Sequence, residues 1–148
     1  MTDSIQLQMK QGLVALIKAS PGIAAAYLNR PLRQPVGENE AKPVAIIRED
    51  VSRVTTDNQV MYSVACQLRV ALYFDLIIGE KSLDEISDPF WIAINNIMNG
   101  PARALPGVQS VQFLERQPEA EGEAGRLDLV YLIGQSAYQL DLTSVAYS

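Results

Sequence analysis

The chain contains no histidine among its 148 residues. Histidine is the commonest general acid–base residue and the commonest metal ligand. Its absence excludes Ser-His-Asp and Cys-His hydrolysis, imidazole-ligated zinc and histidine phosphorelay, and leaves carboxylate and lysine chemistry open. Cys66, the single cysteine, lies on the apolar face of an alternating segment. With no histidine and no helix N-terminus beside it, it reads as a small buried hydrophobe rather than a nucleophile. Glu119, Glu121 and Glu123 could pair as carboxylates or ligate a metal. They lack the Asp/Asn spacing of a calcium loop, so they read as a solvated acidic loop. Gly134-Gln135-Ser136-Ala137 follows a strand without the glycines or lysine of a phosphate loop, and reads as a hairpin turn.

Two further groups point to contacts rather than catalysis. Arg30 and Arg33, with Lys42, make residues 29–42 locally basic, although Glu38 and Glu40 offset them. A solvated loop is the plain reading, and a contact loop to a neighbouring subunit the sharper one. Phe90 and Trp91 are adjacent, so on a helix they point about 100° apart. Core packing of both is the plainer reading. The alternative leaves one of them available to a partner, since aromatics are enriched at interfaces.

Composition bounds the rest. Apolar residues make up 48% of the chain, enough for a core, and the disorder signature of low hydrophobicity with high charge is absent. A length of 148 residues is that of one domain. The net charge of −5 argues against broad nucleic-acid binding, which needs a basic face. The longest apolar runs are far short of the ~20 residues that span a bilayer. Met1-Thr2-Asp3-Ser4 lacks the basic and apolar regions of a signal peptide. A chain that folds in a cytoplasm is expected, and a lone cysteine agrees with that.

The elements that must position these residues follow from periodicity. Ile5, Met9, Leu13, Leu16 and Ile17 make one helical stripe and predict a helix over 3–19, capped by Asp3 with Gln6 in a capping box. Residues 23–28 form a short strand, and 29–42 a long loop. Residues 43–47 form a buried strand, and 48–58 a polar segment ending in an Asp57-Asn58 turn. Over 59–74 every even residue is apolar, from Val60 to Phe74, while Gln59, Ser63, Gln67 and Arg69 lie on the odd face. Such a strand would span roughly 53 Å at ~3.3 Å per residue, against about 40 Å for a domain of this length. It must bend or project, and a projecting strand suits assembly. Ser82 and Glu85 form a capping box for a second helix, with Asp88-Pro89 as an alternative start. Gly100-Pro101 ends that helix. Strands are predicted at 108–115 and 127–133, an exposed acidic loop at 117–125, and a returning hairpin strand over 138–147. The fold class is α+β: one domain over 1–148, with a mostly antiparallel sheet and two helices packed on one face.

This order resembles the tail terminator proteins of tailed bacteriophages, the minor tail protein U type. The resemblance runs over residues 5–133. It rests on the first helix, the strand ending Tyr27-Leu28-Asn29-Arg30-Pro31 and Pro43-Val44-Ala45-Ile46-Ile47. The long strand, the Trp91 helix, Leu105-Pro106-Gly107 and Arg126-Leu127-Asp128-Leu129-Val130-Tyr131-Leu132-Ile133 complete it. Residues 138–148 look like an addition to the family's short form.

The resemblance implies a non-enzymatic virion subunit without cofactors or metal. Such a subunit forms a hexameric ring that caps the tail tube, ends its polymerisation and offers the head or neck an attachment surface. The implied partners are further copies of the chain, the tube protein and the head–tail connector, with DNA only as passing cargo and no membrane. The implied place is the virion tail, assembled in the bacterial host cytoplasm. Arg30, Arg33, Trp91, Glu119 and Glu121 are the candidate subunit-contact residues. The alternatives are another connector, neck or contractile-apparatus component, or a small ligand-binding or enzymatic ferredoxin-like domain.

Overall fold

Helix α1 spans Ile5–Lys18 and buries Met9, Leu13 and Ile17, three residues of the stripe legible in the sequence. Its cap differs from expectation. In the computed structural model, which describes residues 4–30, 41–56, 61–76 and 82–138, Ser4 is the N-cap and its hydroxyl accepts from the Leu7 N–H. A Ser hydroxyl caps as well as an Asp carboxylate. Gln6 is thereby released from a capping box, and its amide donates to the Ser52 hydroxyl at 2.8 Å.

The strands are β1 (Ala25–Leu28), β2 (Val44–Thr56), β3 (Met61–Asp75), β4 (Val108–Glu121) and β5 (Ala124–Tyr138). They form one five-stranded sheet in the order β1-β2-β3-β5-β4. Only β1 runs parallel to its neighbour, and every other pair is antiparallel. Helix α2 spans Leu83–Asn99, capped by the Ser82 hydroxyl on the Glu85 N–H. It runs unbroken through Pro89, so the alternative start at Asp88 is not used.

Both helices lie on one face. Met9, Leu13, Ile17, Ile94 and Met98 meet the alternate residues Cys66, Leu68, Val70 and Leu72 of β3, and Leu127, Leu129, Tyr131 and Ile133 of β5, in one buried cluster. Most hydrophobic stabilisation comes from this layer, at about 25 cal/mol per Å² of apolar surface removed from water. The second face carries the odd residues of β3, including Arg69 and Tyr73, with Val44, Ile46, Ala71 and Val130 nearly fully buried among them.

The structure departs from the sequence reading in four strands. The polar segment after Ile47 continues β2 to Thr56, bulged at Asp50 where the register slips by one residue. The acidic stretch 117–125 is the end of β4, a turn at Gly122 and Glu123, and the start of β5. Gly122 has φ +61, the conformation a tight hairpin asks of its first central residue. Residues 134–137 continue β5 instead of turning. Gly134 serves close packing, because a Cβ there would run into the Ser110 hydroxyl. Finally, β3 does not project alone: it is paired with β2 on one side and β5 on the other over its length. The Asp57-Asn58 turn, most of the 29–42 loop and the 138–147 hairpin strand fall outside the described residues. Among the described residues no helix is long and apolar enough to cross a membrane.

Candidate functional site

Cys66 lies fully buried on the helix-bearing face, its thiol donating to Glu49 Oε1 at 3.1 Å. Lys10 Nζ stands 3.7 Å from the same carboxylate. Burial first, and then the Glu49 contact, push the thiol up to about 12. At neutral pH it is a protonated, water-excluded group, the opposite of an activated thiolate. Among the described residues no group of three or more Cys, Asp and Glu side chains could hold a metal ion. Glu119 and Glu121 stand exposed on β4, with Glu123 in the hairpin turn.

Beside them, Tyr73, Glu119, Glu121 and Arg126 line an open cleft of about 690 Å³ on the second face. Its cation is already engaged. Arg126 places Nε 2.6 Å and Nη2 2.9 Å from the two oxygens of Asp128, and stacks 5.3 Å above Tyr73. Arg69 Nη1 reaches Asp128 at 2.9 Å and its Nε reaches Asp50 at 3.2 Å. The Asp128 hydrogen bond raises the Arg126 pKa, with burial opposing it. Burial lowers that of Arg69, but its two carboxylates outweigh burial and leave it raised. This cluster clamps β2, β3 and β5 together across the second face.

The aromatic pair is engaged within the fold. Phe90 packs on Phe74 at 5.3 Å, while Trp91 packs on Phe113 at 5.6 Å. The Arg116 guanidinium lies 5.1 Å over the Trp91 ring and donates to Asp88 at 2.6 Å. Trp91 is half-buried between α2 and β4. Arg30 stacks 5.0 Å over Tyr27 at the end of β1, and Arg33 lies outside the described residues. Arg30 therefore belongs to one edge of the sheet and Glu119 and Glu121 to the other.

Those edges are unlike each other. β1 covers β2 only from Val44 to Ile47. Among the described residues, no strand pairs with the outer side of β2 beyond that point. The Asn29 N–H donates to Ile47 O, so the backbone groups of Ile47 point outward, toward β1. Alternation, with the extra residue at Asp50, then turns those of Ser52 and Val54 outward as well. Val51 and Val54 are 49% and 53% exposed there. On β4 the register places the proline nitrogen of Pro118 on the outer side, where no N–H is missed by β5. β4 is also bulged at two places, between Val108 and Ser110 and between Phe113 and Glu115. Sequence reasoning missed the β2 edge because its residues are polar on both faces. Val51 and Val54, three apart in a charged segment, carry no period-two signal.

No family model matches the chain, and no curated protein matches it. Among solved structures, a chain described as part of the virion of a native gene transfer agent particle is similar. The TM-score is 0.39 at 13% identity, with 90% of this chain and 92% of that chain covered.

Proposed function

We propose that the chain is a non-enzymatic structural subunit of a phage-type virion. On this reading its copies join head to tail into a ring, a hexamer, that caps the tail tube and stops its growth. The head or neck then attaches to the ring. The reading is carried by the outer edge of β2, where among the described residues no strand pairs with residues 48–56 and Val51 and Val54 are exposed. A long edge without a covering strand is a template for another chain. Natural sheets rarely leave one unguarded, so its retention fits a subunit that completes its sheet on assembly.

Further observations support the reading. The sequence has no histidine, and the one thiol is buried and protonated. The order of elements resembles that of the tail terminators over most of the chain. A head-to-tail contact also needs two different complementary surfaces, and β1/β2 and β4 supply two unlike edges.

The test is tube capping. Tube protein from the same virus is allowed to polymerise with and without the purified chain, and lengths are read by electron microscopy. Capping gives short tubes ending in a ring. Tubes that grow to the same length, with no density at their ends, would remove the reading.

A further inference from the structure

The outer edges of β2 and β4 match each other in charge, spacing and backbone direction. On the second face, Arg48 and Arg53 stand level with Arg69 and Ala65 of β3, so they are 69 − 65 = 4 residues apart along the sheet. Glu115 and Glu119 stand level with Val130 and Arg126 of β5, so they too are 130 − 126 = 4 residues apart. Each pair of charges is therefore separated by about 13 Å. Between them the interior of the face is self-neutralised by Asp50 and Asp128 against Arg69 and Arg126.

Among the described residues, no carboxylate lies within ion-pair distance of Arg48 or Arg53. Within one molecule β2 and β4 are three strand spacings apart, about 14 Å. That exceeds the Debye length of about 8 Å at physiological salt, so the two rims do not satisfy one another.

We infer that the β2 edge of one copy takes the β4 edge of a second copy, antiparallel, with Arg53 facing Glu115 and Ser52 facing Arg116. This rests on the self-assembly reading and names its contact. Three antiparallel steps separate β2 from β4, so a neighbour in the same orientation presents β4 antiparallel to β2.

In this register the outward backbone of Ser52 meets that of Arg116, which also turns away from its own sheet. Val54, 53% exposed, comes level with Phe113, and Leu114, 42% exposed, is the extra residue of the β4 bulge beside it. The extra residue at Asp50 falls opposite Pro118, so the one place where β4 lacks an outward N–H is the one where β2 is already irregular. Arg48 then stands by Glu119. The contact ends there because β1 holds the edge up to Leu28, and Glu121 of the second copy is brought toward Arg30.

Two experiments on the full chain test this. In the first, Val51→Cys with Gln117→Cys, which face each other on the second face in this register, is oxidised at high protein concentration and low ionic strength. The two sites lie on opposite edges, so a bond between them must join two chains. The expected product is a ladder that ends at a closed ring. Dimers from Val51→Cys alone, which report β2 against β2, would overturn the inference.

In the second, Arg53→Glu and Glu115→Arg are compared by sedimentation. Each alone should associate roughly tenfold more weakly than the wild type. Their equimolar mixture should recover association, because an alternating ring has every contact complementary again. Association untouched by either reversal would sink the inference and leave the ring standing. A wild type that does not associate but caps tubes, with no cross-link from the double-cysteine variant, would do the same. A wild type that neither associates nor caps tubes, again with no cross-link from that variant, would end both.

Discussion

The Tyr131 hydroxyl on β5 donates to the side-chain oxygen of Asn95 on α2 at 2.9 Å, tying the middle of the sheet to the second helix. Tyr131 is fully buried, and its ring packs on Phe113 at 5.4 Å. Burial alone raises its pKa above the usual tyrosine range, so the hydroxyl stays protonated and able to donate. Tyr131→Phe keeps the ring and removes the bond. The expected loss is about 1 kcal/mol, with the denaturant slope unchanged, since no surface is newly exposed. A Phe variant as stable as the parent would show that the bond contributes nothing beyond the ring.

Asp128 is 6% exposed and accepts three hydrogen bonds, two from Arg126 and one from Arg69. Asp128→Asn keeps the shape but removes the charge that both guanidiniums were placed to meet. Breaking a buried pair by removing one partner costs about 3–5 kcal/mol. Arg69 keeps Asp50 and Arg126 is partly exposed to water, so the expected cost falls below that range, at about 2–3 kcal/mol. Added salt should change the wild-type melting temperature little, because the carboxylate is shielded from solvent. A cost below about 0.5 kcal/mol would mean that the cluster behaves as an exposed salt bridge.

The Cys66 thiol has its pKa raised from 9.0 to about 12. The folded state therefore holds the thiol proton more tightly than the unfolded chain does. The associated stability is fully present below pH 9.0 and is lost as pH rises toward about 12. Chemical denaturation of the wild type should show stability falling through that window. Cys66→Ala should be less stable at neutral pH, because it opens a small void, but its curve should fall less steeply. Parallel curves for the two proteins would mean that the thiol ionises without resistance in the fold.

Legibility in the sequence followed burial. Met9, Leu13 and Ile17, and the even residues of β3 from Val64 to Phe74, face one dry layer, so their periodicity survives in the sequence. β2 past Ile47 and the β4–β5 tip are wet on both faces, and no alternation is imposed there. Arg48-Glu49-Asp50 and Glu119-Ala120-Glu121 therefore read as loops although they are strands. Gly134 gave a turn signal for a packing reason, the approach of Ser110. Trp91 was legible as an aromatic on a helix, but its clasp by Arg116 depends on β4 lying beside α2, which local pattern does not encode. Among the proposed contact residues, Glu119 and Glu121 were found by their charge alone. Arg53 and Glu115, which the β2–β4 register singles out, needed the sheet order.

The direction of the β2 backbone gives a contrast within two adjacent residues. Val54 pairs with Val64 and Arg53 with Ala65, and alternation turns the Arg53 N–H toward β3 and the Val54 N–H outward. A proline removes one N–H and fixes φ near −65°, which edge strands tolerate where the N–H faces away from the sheet. Arg53→Pro removes a ladder bond and should cost about 3 kcal/mol. Val54→Pro removes no bond of the isolated subunit and should stay within about 1 kcal/mol of the wild type. In assembly the order reverses in meaning. A strand added to β2 needs the Val54 N–H, so Val54→Pro should be well folded and unable to cap tubes or associate, while Val54→Thr, which keeps the N–H and the β-branched shape, should do both. A folded Val54→Pro that still forms rings would show that the β2 edge is not the surface through which copies join.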